Sequence, residues 1–248
     1  MRAVMLAAGV GARLGEIVEK PPKVLLRFDG ISLLARHIRL LRHAGIDELV
    51  LCTGYRAEAI EAEIAACGAG EFVTTVFNPD YREGSLVSLW TAREALATGD
   101  DILLMDADVL YDQRLLAHLT GSSHSNVFLM DRDIEPGDEP VKLCIKDGCI
   151  VDFEKRPENA HDYHGESVGF FRFEGGMSAK LAARAETLVA AGVRDSWYEA
   201  AIRDLVLGEP NAFGWEDVTG LPWLEIDFAE DLQRAEASVL PHLEALPA

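Results

Sequence analysis

The regular alternation of short apolar segments with amphipathic helical stretches is the feature that most restricts how this chain can fold. Five segments have the length and composition of buried strands, namely residues 3–8, 48–54, 72–77, 101–108 and 125–130. Helical periodicity occupies the intervals at residues 32–44, 56–66, 85–97 and 112–119. Because a strand, a helix and a second strand in this order usually give parallel strands, the pattern predicts an α/β fold with helices on both faces of a mainly parallel sheet.

The pattern changes after residue 130. Residues 141–145 and 149–156 flank a turn at Lys146-Asp147-Gly148, which predicts a hairpin, and residues 166–173 form a further apolar segment. Helical patterns return at 177–191, 196–207 and 229–239. The 248 residues show no repeat and no linker. We therefore predict one domain over residues 1–248, a Rossmann-like three-layer α/β/α sandwich with a mixed sheet and a β-rich substrate lid.

Charge and composition exclude several classes of protein. The net charge of −19 argues against a nucleic-acid or anionic-membrane partner, which would need a basic surface. Residues 1–60 nevertheless carry nine Lys/Arg against six Asp/Glu, as expected for a segment that binds a polyanion or presents a solvated basic helix. No apolar run approaches the length of a membrane span, and no leader precedes the first strand, so we expect a cytoplasmic protein. The four cysteines match neither a CxxC nor a zinc pattern.

A glycine-rich segment, LAAGVGARLG at residues 6–15, follows the first strand directly. The spacing of Gly9, Gly11 and Gly15 does not give the GxGxxG pattern of dinucleotide-binding folds, and no GxxxxGK[ST] run occurs in the chain. The segment can bind phosphate through its backbone N–H groups, or it can be an ordinary tight turn.

Acidic residues follow two other apolar segments. Asp106 and Asp108 end the segment at 101–108, where strand alternation places both side chains on the same side. Two like charges so close together favour a bound Mg²⁺ over a purely structural pair. Asp227 follows a short apolar run and precedes a helix; by itself it also fits a residue that meets the helix dipole.

Together these segments resemble a known family. The run LAAGxGxRL, followed by Pro22-Lys23, resembles the signature of the nucleotidyltransferases that activate sugar phosphates and phosphorylated amino alcohols. Residues 78–92 are similar to the phosphocholine and phosphonate cytidylyltransferase branch of that family. The resemblance implies that Arg13 holds the β and γ phosphates of the NTP, that Lys23 steadies its α-phosphate, and that Asp108 and Asp227 are catalytic ligands of Mg²⁺. The remaining nucleotide-side residues that it implies are Leu6, Ala7, Ala8, Gly9, Gly11, Gly84, Ser85 and Asp106.

The same resemblance assigns an acceptor side to the second half of the chain. On this basis residues 1–130 form a nucleotide-binding half and residues 131–248 an acceptor-binding half. The segments Glu139–Lys142, Glu154-Lys155, Gly165–Gly169 and Trp197-Tyr198-Glu199 resemble acceptor-side elements of the branch. The acceptor residues that we predict from them are Lys142, Glu166, Trp197 and Tyr198.

The expected activity is Mg²⁺-dependent transfer of CMP from CTP to a small phosphorylated or phosphonylated acceptor, of the phosphocholine or 2-aminoethylphosphonate type, with release of pyrophosphate. Two alternatives stay open. One is a sugar-1-phosphate nucleotidyltransferase that uses UTP, dTTP or GTP, and the other is a non-catalytic nucleotide-binding regulator. The oligomeric state is also open, with a homodimer among the options.

Overall fold

The computed structural model describes residues 1–14, 21–134 and 137–247. The strands are β1 (Arg2–Leu6), β2 (Arg27–Phe28), β3 (Ile31–Ser32), β4 (Glu48–Thr53), β5 (Val73–Phe77), β6 (Ile102–Asp106), β7 (Val109–Tyr111), β8 (Val127–Asp131), β9 (Lys142–Lys146), β10 (Cys149–Glu154), β11 (Tyr163–Phe173), β12 (Gly214–Asp217) and β13 (Trp223–Glu225). The α-helices are α1 (Leu33–His43), α2 (Ala57–Ala66), α3 (Ser85–Thr91), α4 (Arg93–Leu96), α5 (Arg114–Gly121), α6 (Gly175–Ala190), α7 (Glu199–Gly208) and α8 (Ala229–Arg234).

A nine-stranded mixed sheet forms the centre of the molecule. Its main path runs β10-β9-β11-β6-β1-β4-β5, and β8 pairs with both β11 and β12. The neighbours β6, β1, β4 and β5 are parallel, whereas β11 runs antiparallel to β6, β8 and β9. Parallel strands end at a common edge, so the segments that follow β1 and β6 lie side by side there.

Strand alternation divides the core into two layers, one on each face of the sheet. Met5, Leu51 and Met105 pack with the apolar faces of α1, α2 and α5 on one side. Val4 and Leu104, one residue away in their strands, pack with α3, α6 and α7 on the other. The segments are apolar throughout because both faces of the strands are covered.

A smaller apolar cluster joins several separate segments of the chain. Leu14 from the glycine-rich segment packs there with Phe28, Leu33, Leu224 and Ile226. These residues are nearly or fully buried. This cluster fixes the segments that carry Arg13, Lys23 and Asp227 relative to one another, although these residues lie far apart in the sequence.

The structure confirms the predicted fold class, a mainly parallel mixed sheet enclosed by helices, and corrects some details. The helix predicted at 85–97 is interrupted at Ala92, between α3 and α4. The closing helix ends as α-helix at Arg234 and continues as a π-helix over Ala235–Val239. The hairpin of β9 and β10 continues the main sheet through β11 and does not form a separate layer.

Two further observations concern the described residues. No helix among them combines the length and the apolar composition needed to cross a membrane. The four cysteines are free, and two of them, Cys52 and Cys144, are buried. Gly15, which belongs to the predicted glycine-rich segment, lies outside the described residues.

Candidate active site

A cleft of about 300 Å³ opens where β1 and β6 end. Most of the residues predicted from the sequence line it, although they come from both halves of the chain. The lining residues among them are Leu6, Ala7, Ala8, Gly9, Gly11, Arg13, Lys23, Ser85, Asp106, Asp108, Glu166, Trp197, Tyr198 and Asp227. Gly84 and Lys142 are the two predicted site residues that do not line the cleft.

Four charged residues meet at one end of the cleft, and we call them the carboxylate–lysine cluster: Lys23, Asp108, Glu225 and Asp227. The ammonium of Lys23 donates hydrogen bonds to Asp108 Oδ2 at 2.7 Å and to Asp227 Oδ1 at 2.6 Å. Oxygen atoms of Asp108, Glu225 and Asp227 lie within 4.8 Å of one another. The lysine is therefore the cation that joins two of the three carboxylates.

Strand pairing explains why residues so distant in the sequence meet in this cluster. β13 pairs antiparallel with β7, and Glu225 lies opposite Val109, the residue after Asp108. The backbone N–H of Ile226 donates to the carbonyl of Asp108 at 2.9 Å. The register of these two short strands thus places Asp227 beside Asp108.

Asp227 does not serve as the cap of the helix that follows. The N-cap is Phe228, and Asp231, in the first turn of α8, accepts through its Oδ2 the backbone N–H groups of Asp227 at 2.9 Å and of Phe228 at 2.7 Å. The carboxylate of Asp227 is consequently available to Lys23 and to Arg13, whose NH1 lies 3.0 Å from Asp227 Oδ2.

The charges in the carboxylate–lysine cluster shift one another's proton affinities. Burial alone would lower the pKa of Lys23, but Asp108 and Asp227 outweigh it and raise that pKa above its usual value. Burial opposes ionisation of Asp227, yet Lys23 and Arg13 hold its pKa below the usual range. Burial of its carboxyl in the wall of the cleft, together with the charges of Asp108 and Asp227, raises the pKa of Glu225 well above its usual value. Glu225 is an exposed residue, so water in the cleft reduces the effect of burial on its pKa.

The donor set of the carboxylate–lysine cluster fits a divalent cation. Carboxylate oxygens are the ligands that Mg²⁺ takes in proteins, and three carboxylates here offer oxygens within 4.8 Å of one another. Asp106 is not one of these three. Its Oδ2 accepts the hydroxyl hydrogen of Tyr198 at 2.8 Å. Gly169 leaves room for the carboxylate of Asp106, because a Cβ at position 169 would clash with Asp106 Oδ2. Its φ of 77° also lies in the left-handed region that favours glycine.

Cations at the rim of the cleft are paired with carboxylates of the chain. Arg13 NH1 lies 3.1 Å from Glu139 Oε2, and the Nζ of Lys155 lies 3.3 Å from the same oxygen. The side chain of Glu139 is 58% exposed, so these are solvent-screened contacts of small free energy. A strongly charged anion in the cleft can displace such partners.

Gly84 and Ser85 lie at the start of α3, as expected for residues near a bound nucleotide, and both contact residues 194–198. The backbone N–H of Gly84 donates to the carbonyl of Arg194 at 2.9 Å, and a Cβ on Gly84 would clash with the backbone of Ser196. Ser85 Oγ accepts the backbone N–H of Tyr198 at 3.0 Å. Gly84 therefore holds the two halves together and does not reach the cleft.

Lys142 also lies outside the lining of the cleft. Its Nζ donates to three backbone carbonyls, those of Gly137 at 3.0 Å, Pro140 at 3.3 Å and Lys155 at 2.8 Å. An ammonium has three protons to donate, and all of them are used here. Lys155, and not Lys142, is the lysine of this region that lines the cleft.

The two aromatic residues predicted for the acceptor side differ in their environments. Trp197 is 49% exposed, and the ammonium of Lys155 lies 4.5 Å from the centre of its ring. Tyr198 is only 3% exposed. Burial and the neighbouring carboxylates raise the pKa of Tyr198 well above its usual value, so its hydroxyl stays protonated and continues to donate to Asp106.

Several residues that line the cleft were not among the predicted site residues, and three charged ones bear on the chemistry: Glu225, Lys155 and Glu199. Glu225 lies two residues before Asp227 in an extended segment, and strand alternation is a signal that would have placed both on one side. Lys155 and Glu199 belong to segments noted for their resemblance to acceptor elements. Burial raises the pKa of Glu199 to about 7.

Comparisons with known proteins show the family and the fold of this chain. Residues 3–168 match the MobA-like NTP transferase domain. The CMP-5'-(3-aminopropyl)phosphonate synthase of Streptomyces rubellomurinus is 28% identical over 98% of this chain and 40% of its own length. The choline-phosphate cytidylyltransferase of Haemophilus influenzae is 35% identical over 53% of each chain. The CTP:phosphocholine cytidylyltransferase of Streptococcus pneumoniae has a similar fold, with a TM-score of 0.76 and 21% identity over 95% of this chain and 97% of that structure.

This chain belongs to the MobA-like NTP transferase family. The resemblance to nucleotidyltransferases inferred from residues 6–23 is thereby confirmed. The chain spans about half the length, or less, of the two curated relatives named above.

Proposed function

We propose that this protein is a Mg²⁺-dependent cytidylyltransferase that joins CMP, from CTP, to a small phosphorylated or phosphonylated acceptor and releases pyrophosphate. The observation that carries the proposal is the convergence of two cationic side chains, Arg13 and Lys23, with the three carboxylates Asp108, Glu225 and Asp227 at one end of the cleft. Phosphoryl transfer needs little beyond positioning and charge neutralisation, and these groups supply both.

The chain's own cations bind the triphosphate. The glycine-containing segment after β1 lines the cleft from Leu6 to Gly11 and lets the nucleotide approach the backbone closely. Arg13 exchanges its exposed partner Glu139 for the β and γ phosphates. Lys23 turns from Asp108 and Asp227 toward the α-phosphate, where it neutralises charge that builds up on the equatorial oxygens during transfer.

Asp108, Glu225 and Asp227 would hold Mg²⁺. When bound, the ion supplies positive charge at the reacting phosphate oxygens. Because Lys23 already occupies the space between two of these carboxylates, its movement toward the nucleotide leaves them free to bind the metal.

The proposed reaction needs no general base. An ionised oxygen of the acceptor phosphate or phosphonate forms a bond to the α-phosphorus of CTP, and the bond from that phosphorus to the β-phosphate oxygen breaks. Pyrophosphate leaves with the electron pair. The acceptor oxygen already carries a negative charge at neutral pH, so the chain needs only to hold it in line with the leaving group.

The preference for CTP rests on the relatives. The Streptomyces and Haemophilus proteins are named as enzymes that form a CMP-phosphonate and that transfer a cytidylyl group to choline phosphate, respectively. Their likeness to this chain supports CTP as the nucleotide and a phosphate or phosphonate with a small organic group as the acceptor.

Pyrophosphate release tests the proposal. Purified protein with Mg²⁺ is assayed with CTP, UTP, dTTP, ATP and GTP against phosphocholine, 2-aminoethylphosphonate and a set of sugar-1-phosphates. We expect release with CTP and a non-sugar acceptor. Release with sugar-1-phosphates alone would overturn the acceptor class and keep the chemistry. No release with any pair would contradict the proposed activity and favour a nucleotide-binding protein.

A further inference from the structure

A smaller pocket of about 200 Å³ adjoins the cleft, and we call it the side pocket. The two spaces share five lining residues, Val141, Phe153, Lys155, Trp197 and Glu199. Val141, Phe153 and Trp197 supply apolar surface, whereas Glu199 supplies a carboxylate. The wall that the two spaces share therefore has the mixed character suited to a short alkyl chain with a charged end.

Glu199 is unusual because one of its oxygens lacks a partner. Its Oε2 has almost no contact with solvent and accepts no hydrogen bond. Among the described residues, five other buried side-chain nitrogen or oxygen atoms lack a partner, and none of their residues lines the cleft or the side pocket. A buried polar atom without a partner is costly, so its presence in a binding cleft points to a donor that arrives with the ligand.

The cations of the chain do not satisfy this oxygen. Lys155, the nearest lysine of the pocket wall, is engaged with Glu139 and lies over the ring of Trp197. Arg203 pairs with Asp152 at 2.7 Å and approaches Glu154 only to 3.8 Å. The donor missing at Glu199 Oε2 is therefore not supplied by the residues around it.

Trp197 and Tyr198, the two aromatic residues predicted for the acceptor side, are also not arranged as a cage for a quaternary ammonium. Lys155 covers the face of Trp197, and Tyr198 is buried with its hydroxyl bound to Asp106. Cation–π binding of a trimethylammonium group needs free aromatic faces. A carboxylate oxygen without a partner needs an N–H donor, which a trimethylammonium group does not have.

We infer that Glu199 binds the ammonium group of an acceptor that carries a primary amine, at the junction of the cleft and the side pocket. This inference rests on the proposed cytidylyltransferase function and narrows its acceptor to amine-bearing alkyl phosphates or phosphonates. Val141 and Phe153 line the path of the alkyl chain, and the charge-assisted hydrogen bond to Glu199 Oε2 selects the amine.

Three acceptors that differ only in the group at the end of a two-carbon chain test this inference: 2-aminoethylphosphonate, its bulkier N-trimethylated analogue and the isosteric n-propylphosphonate. We measure kcat/KM from pyrophosphate release with CTP and Mg²⁺. The wild-type protein is expected to prefer the primary amine over both other acceptors by about tenfold or more, the size typical of a hydrogen bond to a charged group. Comparable kcat/KM for the three acceptors would overturn the inference while leaving the proposed function in place.

Substitution of Glu199 tests whether this residue causes the preference for the primary amine. In Glu199→Gln the ratio of kcat/KM between 2-aminoethylphosphonate and n-propylphosphonate is expected to fall to within about threefold. The matched control is Glu158→Gln, which removes the same charge at an exposed position outside both spaces, and it should keep the wild-type ratio. An unchanged ratio in Glu199→Gln would also overturn the inference. The wild-type comparison stands even if this variant does not fold.

Calorimetry separates failure of the inference from failure of the proposed function. If no acceptor releases pyrophosphate, the proposed function fails, and binding of 2-aminoethylphosphonate and n-propylphosphonate to the wild-type protein decides the subsite by itself. Tighter binding of the amine that is lost in Glu199→Gln keeps an amine site. Equal affinities overturn it.

Discussion

The two ends of the cleft hold carboxylates in opposite states of neutralisation. In the carboxylate–lysine cluster, Lys23 bridges Asp108 and Asp227 at hydrogen-bonding distance. At the other end, Glu199 has an oxygen without a partner, and its pKa is raised by burial to about 7. The comparison suggests two modes of ligand binding. At the first end a ligand must replace a cation that the chain already provides, whereas at the second it brings the missing donor itself.

The largest effect is expected from the carboxylate–lysine cluster. Asp108→Asn removes one of the three charges that would hold Mg²⁺, and we expect pyrophosphate release to fall by about 10²–10³-fold, the range seen when one electrostatic contact to the transition state is lost. Thermal melting should show an intact fold. The control is Asp100→Asn, at an exposed position outside the cleft. Wild-type activity in Asp108→Asn would contradict the assignment of Asp108 as a metal ligand. The comparison between the carboxylate–lysine cluster and Glu199 would then fail.

Lys23→Met separates the two roles of the lysine. Turnover should fall by about 10²-fold because the α-phosphate loses its cation. Binding of Mn²⁺ without nucleotide, followed by electron paramagnetic resonance, should become tighter, since no ammonium competes for Asp108 and Asp227. Lys180→Met, which removes a lysine from an exposed pair with Glu209, is the control. Weaker Mn²⁺ binding in Lys23→Met would show that the lysine supports the metal site and does not compete with the ion.

A smaller change is expected at the Glu199 end. Tyr198→Phe removes the hydroxyl that donates to Asp106 and leaves the buried ring in place. Loss of this buried hydrogen bond at the wall of the cleft should reduce kcat/KM by about tenfold. Steady-state kinetics measures it, with Tyr163→Phe, a tyrosine outside the cleft, as the control. A loss as large as that of Asp108→Asn would mean that Asp106 belongs functionally with the metal ligands.

The smallest effect is on stability and depends on pH. The pKa of Glu199 is raised from 4.5 to about 7 in the folded protein, so its carboxyl is neutral in both states below pH 4.5 and its ionisation disfavours the fold above pH 7. Stability that is present at pH 4.5 is thus lost as the pH rises through 7. Glu199→Gln should raise the Tm by a few degrees at pH 8 relative to wild type, and by little at pH 4.5. An equal Tm difference at both pH values would contradict a buried, titrating Glu199.

The sequence predicted the nucleotide side of the cleft better than the acceptor side. Arg13, Lys23 and Asp108 lie in short motifs next to strands, and the edge of a parallel sheet gathers such motifs whatever the details of packing. Lys142 and Lys155 cannot be told apart in this way. Both belong to the same part of the chain, and only the path of the backbone around Lys142 shows that three carbonyls use its protons.

The sequence by itself determined the strand and helix order, the α/β class and the segments that carry charge to the cleft, because hydrophobic periodicity and glycine spacing act over a few residues. Tertiary structure decided which charges are paired. The register between β7 and β13 places Glu225 and Asp227 beside Asp108, and the packing of the two halves leaves Glu199 without a donor. Such pairing depends on distances between segments up to about 200 residues apart, which local patterns do not encode.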